Sequence, residues 1–80
     1  MASLNKEGVI VKNKKTGKFF IACYNKAKSD NLTRGNRLEI YYKNEWHAGR
    51  VEVIDGEFYF YGQVKTFLYT GLRARQKNIY

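Results

Sequence analysis

Cys23 and His47 are the one cysteine and the one histidine of the chain. A cysteine–histidine pair is therefore the simplest nucleophilic apparatus it could assemble, given a third group to orient the base. Cys23 stands in the run Phe19-Phe20-Ile21-Ala22-Cys23-Tyr24, which supplies no cation to lower a thiol pKa. It reads as a small buried hydrophobe. His47, beside Trp46 in a β-forming stretch, reads as a half-exposed polar residue. A single cysteine excludes a disulfide framework, and with a single histidine it excludes an all-protein Cys/His zinc site. The acids Glu39, Glu45, Glu52, Asp55 and Glu57 lie in the centre of the chain among Arg37, Lys43 and Arg50. Cross-strand ion pairing is their expected role, rather than acid–base work in a shared cleft. No glycine run precedes a helix, so no phosphate-cradling loop is expected. The residues predict no catalytic group, no metal and no cofactor.

The chemistry that remains is binding. The formal net charge is +8, and it is uneven. Residues 1–28 carry seven lysines and one acid, Glu7, whereas residues 29–80 carry eight basic and six acidic side chains. A basic domain gathers polyanions, and nucleic acid is the commonest of these in a cytosol. Single strands are held by a basic groove together with rings on which bases stack. The expected stacking rings are Tyr41, Trp46, Tyr59 and Tyr61. The expected phosphate contacts are Lys12, Lys14, Lys15 and Lys18 on a first hairpin, with Arg50, Arg73 and Arg75 brought close by closure of a barrel.

The elements that must position these groups are short strands, because turn signals recur every eight to ten residues. Strands are expected over 8–12, 18–24, 37–43, 46–54, 57–61 and 72–75. Asn13-Lys14-Lys15-Thr16-Gly17 is turn chemistry, and it puts Lys14 and Lys15 at a hairpin tip. Residues 25–31 read as an exposed loop. Arg37–Lys43 alternates, with Leu38, Ile40 and Tyr42 on one side and Glu39 and Tyr41 on the other. Asn44-Glu45 closes a second hairpin, and Asp55-Gly56, the strongest hairpin signal, a third. The fourth strand holds a conflict of phase. Trp46 falls with Ala48, Arg50 and Glu52, opposite to Val51 and Val53, so either Gly49 marks a bulge or Trp46 lies outside. Residues 62–70 read as a mixed connection with a short 3₁₀ turn around Phe67-Leu68-Tyr69.

Five or six antiparallel strands in so short a chain predict one all-β domain folded as a small, strongly bent barrel. Residues 1–7 are expected as a flexible start, 8–75 as the barrel and 76–80 as a tail. A core this small needs its rings. Val9, Val11, Ile21, Leu38, Ile40, Val51, Val53, Phe58, Phe60 and Leu72 are expected to build it. No apolar run approaches the ~20 residues of a membrane helix, and the amino end has no signal-peptide core, so a cytoplasmic protein is expected.

Three stretches carry a resemblance. Gly35-Asn36-Arg37-Leu38-Glu39-Ile40, Trp46 followed by Arg50-Val51-Glu52, and Gly71-Leu72-Arg73-Ala74-Arg75 are similar to the opening, tryptophan and closing strands of a family of small bacterial proteins of unknown function. These proteins have an SH3-like barrel and occur in Gram-positive bacteria and their phages or mobile elements. The resemblance runs from Leu32 to Arg75. It implies the fold but no reaction and no catalytic residue. Two other partner classes fit such a setting. One is a host protein complex, for example a CRISPR or other defence nuclease, bound and inhibited through an acidic surface. The other is an extended peptide, held as SH3-like interaction modules hold theirs.

Overall fold

The computed structural model describes residues 5–24 and 26–77. It contains β1 (Asn5–Lys12), β2 (Phe19–Cys23), β3 (Arg37–Tyr42), β4 (Glu45–Ile54), β5 (Glu57–Gly62), β6 (Lys65–Phe67) and β7 (Arg73–Lys77). All seven belong to one antiparallel sheet of order β2-β1-β7-β3-β4-β5-β6. The fold is all-β, with seven strands where five or six were expected. Among the described residues no helix is long and apolar enough to cross a membrane.

The extra strand is β6. Residues 65–67, expected within a connection, pair with β5 in the register Tyr59↔Phe67, Phe60↔Thr66 and Tyr61↔Lys65. The ends also differ from expectation, since β1 begins at Asn5 and β7 runs to Lys77. Residues 1–4 and 78–80 of the expected flexible start and tail lie outside the described residues.

The hairpins follow from local chemistry. Asp55 and Gly56 sit at φ 53° and 79°, the pair of positive values a type I′ turn requires. The β3–β4 turn uses Lys43 and Asn44, at φ 52° and 68°, one residue earlier than Asn44-Glu45. At the first hairpin Asn13 Oδ1 accepts from the Lys15 amide at 2.9 Å, and Thr16 Oγ1 from the Lys18 amide at 3.2 Å.

The sheet curls until its two ends meet over one core. Phe19 of β2 packs edge-on against Phe58 of β5, with ring centroids 5.6 Å apart. Ile10, Ile21, Leu32, Leu38, Ile40, Val51, Phe60, Leu68, Leu72 and Ala74 lie buried between. Val9 and Val11 do not join them and are half-buried on the other face. In the run Val9-Ile10-Val11 alternation alone leaves the phase open. The pairing Ile10↔Ile21 settles it by stacking two fully buried side chains. Val53 is likewise half-buried, and Phe58, also half-buried, packs against the core as expected.

The expected loop after β2 instead covers that strand's edge. The Ser29 amide donates to the Ile21 carbonyl at 2.9 Å, the Ile21 amide donates to Ser29 Oγ at 2.8 Å, and the Leu32 amide reaches the Phe19 carbonyl at 2.7 Å. Ser29 is buried as a result. Edge strands left open invite pairing with other chains, and here β2 is closed by its own continuation.

Cys23 is buried, and its thiol faces the Ile21 carbonyl at 3.8 Å. Cys23→Ala is expected to cost roughly 1 kcal/mol and no binding function. Denaturant titration checks the first part. Rapid modification of the folded protein by a thiol reagent would contradict the burial.

Candidate functional site

The phase conflict in β4 resolves without a bulge. Pairing with β3 runs unbroken from Arg37↔Arg50 to Tyr42↔Glu45, and pairing with β5 from Gly49↔Gly62 to Ile54↔Glu57. Trp46 therefore lies on the outer face, half-buried, beside its cross-strand partner Tyr41. The two rings meet edge-to-face at 5.3 Å. Two arginines of β7 cover them. The Arg75 guanidinium sits 3.9 Å from the Trp46 centroid, and that of Arg73 lies 5.1 Å from Tyr41 and 5.4 Å from Trp46. A cation over a π face is attracted by the ring quadrupole, so Trp46 works as a platform for arginine. Carboxylates hold the other ends: Arg75 Nε donates to Glu39 at 2.6 Å, and Arg73 Nη2 to Glu7 at 2.7 Å. The hydrogen bond to Glu7 raises the pKa of Arg73, a group already charged at any physiological pH.

A second cluster adjoins the first. Arg37 of β3 stands directly opposite Arg50 of β4, and Arg50 directly opposite Tyr61 of β5. Arg50 lies 4.9 Å over the Tyr61 ring, and Lys65 Nζ 4.7 Å over the same ring. Arg50 also bonds Glu52 at 2.6 Å. Among the described residues Arg37 has no carboxylate within ion-pair distance. Like charges directly opposite each other on a sheet repel; Glu52 offsets Arg50, and no carboxylate among the described residues offsets Arg37.

Arg37, Arg50, Arg75 and Tyr61 rim an open cleft of about 390 Å³, with Glu39 as its one acid and Ala48, Gly49 and Gly62 along its floor. The paired glycines make that floor. A Cβ on Gly49 would come within 2.5 Å of Phe60 Cζ, and one on Gly62 would strike the Ala48 carbonyl. Glycine here lets the two backbones and the Phe60 ring beneath them close together.

The sequence pattern of a domain of unknown function, DUF5348, matches residues 8–76. The chain belongs to the DUF5348 family. No curated protein and no solved structure matches it. The DUF5348 stretch reaches from β1 into β7 and so includes both clusters apart from Glu7, without assigning either a role.

Within this DUF5348 domain the expected site residues divide into three groups. Tyr41, Trp46, Arg73 and Arg75 come together at one cluster, and Arg50 and Tyr61 at the other. Tyr59 lies beside them, its ring 4.7 Å from Phe67. The lysines do not join. Lys12 extends over Phe19 at 5.9 Å, and Lys14, Lys15 and Lys18 project into solvent from the hairpin. By register Lys12 lies three positions beyond Val9, the partner of Arg73, while Arg37 and Arg50 lie at the far end of β3. At ~3.3 Å per residue the separation along the strands is on the order of 20 Å. The hairpin therefore stands at the end of the sheet away from Arg37 and Arg50, with Lys12 about 10 Å along the strand from the level of Arg73. Arg37, Lys65 and Phe67 were not expected at the site. Arg37 shares the phase of Glu39 and Tyr41, a signal present in the sequence; Lys65 and Phe67 depended on recognising β6.

Cys23 and His47 form no pair. His47 Nε2 lies 3.0 Å from the Tyr42 carbonyl, and the thiol faces β2's own backbone. Among the described residues no group of three His, Cys, Asp or Glu could hold a metal ion.

Proposed function

We propose that the protein binds nucleic acid, without catalysing a reaction on it, through the outer face of β3, β4, β5 and β7. The observation that carries this proposal is Arg37 directly opposite Arg50, at the rim of a glycine-floored cleft that Arg75 also lines. An anion that bridges two like charges relieves their repulsion, and the two non-bridging oxygens of a tetrahedral phosphodiester accept a guanidinium fork bidentately. The net charge of +8 supplies the long-range attraction. We take the chain to be an SH3-like barrel of Gram-positive bacteria or their phages and mobile elements, acting in the cytoplasm.

Fluorescence anisotropy with labelled oligonucleotides across a salt series tests the proposal. Phosphate contacts make log K fall with log[salt] by ~0.9 per contact on duplex and ~0.7 on single strands. Binding that is insensitive to salt, or absent, would favour a protein partner instead.

The hairpin is tested separately. Lys14→Ser with Lys15→Ser is expected to shift stability by less than ~0.5 kcal/mol, as exposed substitutions do. On an oligonucleotide long enough to span both ends of the sheet, the same change should flatten the salt slope by about one to two contacts. An unchanged slope would mean that these lysines only solubilise the protein.

A further inference from the structure

We infer that the ligand of this face is single-stranded nucleic acid, with one base stacked on the ring of Phe67 and the adjoining phosphates in the cleft of Arg37 and Arg50. The inference rests on nucleic-acid binding by the same face and adds to it the strand type and a base-contacting residue.

Phe67 is 54% exposed, the one phenylalanine of the five that is not buried or half-buried. It lies on β6, the last strand of the sheet order, so no further strand covers its outer side. Tyr59 takes one side of the ring, at 4.7 Å and an interplanar angle of 31°. The neighbouring rings of the face are engaged differently. Trp46 carries Arg75, Tyr41 carries Arg73, and Tyr61 carries both Arg50 and Lys65. Cations already occupy those π faces, and a base would have to displace them. Phe67 has no cation over it among the described residues. Tyr59 shares that freedom but is half-buried, so Phe67 is the more exposed of the two rings on this face that can accept a base without displacing a cation.

Its position fits a nucleotide step. Lys65 and Phe67 are two residues apart on one strand, as are their partners Tyr61 and Tyr59 on the next. Two strand positions advance about 6.8 Å on the same face, which sets the ring platform one step from the cations around Tyr61. A base pair inside a duplex keeps both its faces stacked and has none to offer this ring without unpairing. A single strand offers a base face at every nucleotide.

Three labelled probes of equal length separate these contributions by anisotropy: a single strand, the same sequence as duplex, and a strand of abasic residues. The wild type is expected to bind the single strand most tightly, and Phe67→Leu to weaken that binding about 5- to 100-fold. Phe67→Leu should leave both the salt slope and the affinity for the abasic strand unchanged, which also shows the variant to be folded. Phe67→Tyr, which keeps a ring, should bind like the wild type. Equal affinity for base-bearing and abasic strands, unmoved by Phe67→Leu, overturns the base platform while leaving phosphate binding in place. Duplex bound as tightly as single strand overturns the strand preference. No binding to any of the three overturns nucleic-acid binding itself, and the Phe67 platform with it.

Discussion

Replacing Arg37 and Arg50 together by Gln is expected to abolish most nucleic-acid binding while leaving the fold as stable as before. Each lost phosphate contact removes ~0.7–0.9 from the salt slope, which at 0.1 M salt corresponds to roughly 5- to 8-fold in affinity relative to 1 M. Two contacts give a loss of ~25- to 60-fold and a slope flatter by about 1.4 to 1.8. The stability side of the expectation has two opposing parts. Relief of like-charge repulsion across β3 and β4 favours the variant. Loss of the Arg50–Glu52 ion pair at 2.6 Å opposes it, but that pair is half-exposed and contributes little. The net change should stay within ~0.5 kcal/mol. Anisotropy and a denaturant titration on the same preparation check both halves. Undiminished affinity would remove the cleft from the binding surface. A large drop in stability would mean that the two arginines serve the sheet and need no anion.

The largest effect on stability is expected from Phe60→Ala. Phe60 is fully buried, and its ring sits directly beneath Gly49, so it supports the corner where β4 and β5 close under the cleft. Deleting a buried Phe side chain costs about 3–5 kcal/mol through lost transfer free energy and the cavity left behind. At ~0.05–0.15 kcal/mol per residue, a chain this short has only about 4–12 kcal/mol in total. Phe60→Ala should therefore bring the protein near or past half-unfolding in water, with a denaturant midpoint far below that of the wild type. Phe60→Leu keeps most of the volume and should cost under half as much. Equal, small losses in both variants would show that the corner is held by the backbone pairing of Gly49 with Gly62 and not by the ring.

The arginine–aromatic face was legible in its parts and not in its assembly. Alternation in Arg37–Tyr42 and the opposed phase of Trp46 against Val51 place Tyr41, Trp46 and Arg50 on one outward face, and the continuous register bears this out. Arg73 and Arg75 share a phase for the same reason. The aromatic Tyr59 and Tyr61, by contrast, sit in a run of four rings whose phase only pairing with β4 decides. Phe67 was hidden because Lys65–Phe67 is three residues long, too short for alternation to be distinguished from a turn. The lysine hairpin was legible as a hairpin, but its direction relative to the arginines was not.

By itself the sequence determined what is local. The alternation of β3, the type I′ turn at Asp55-Gly56 and the lysine tip all depend on neighbours within a few residues, where backbone geometry and side-chain type suffice. Tertiary structure alone decided which strands lie side by side. β7, last in the chain, inserts between β1 and β3 and sets Arg73 against Glu7 and Arg75 against Glu39 and Trp46. Nothing local encodes those contacts, because they join residues dozens of positions apart. They arise because one small core is buried only when the sheet curls over it, Phe19 of β2 reaching Phe58 of β5, and that curl fixes which cations share a face.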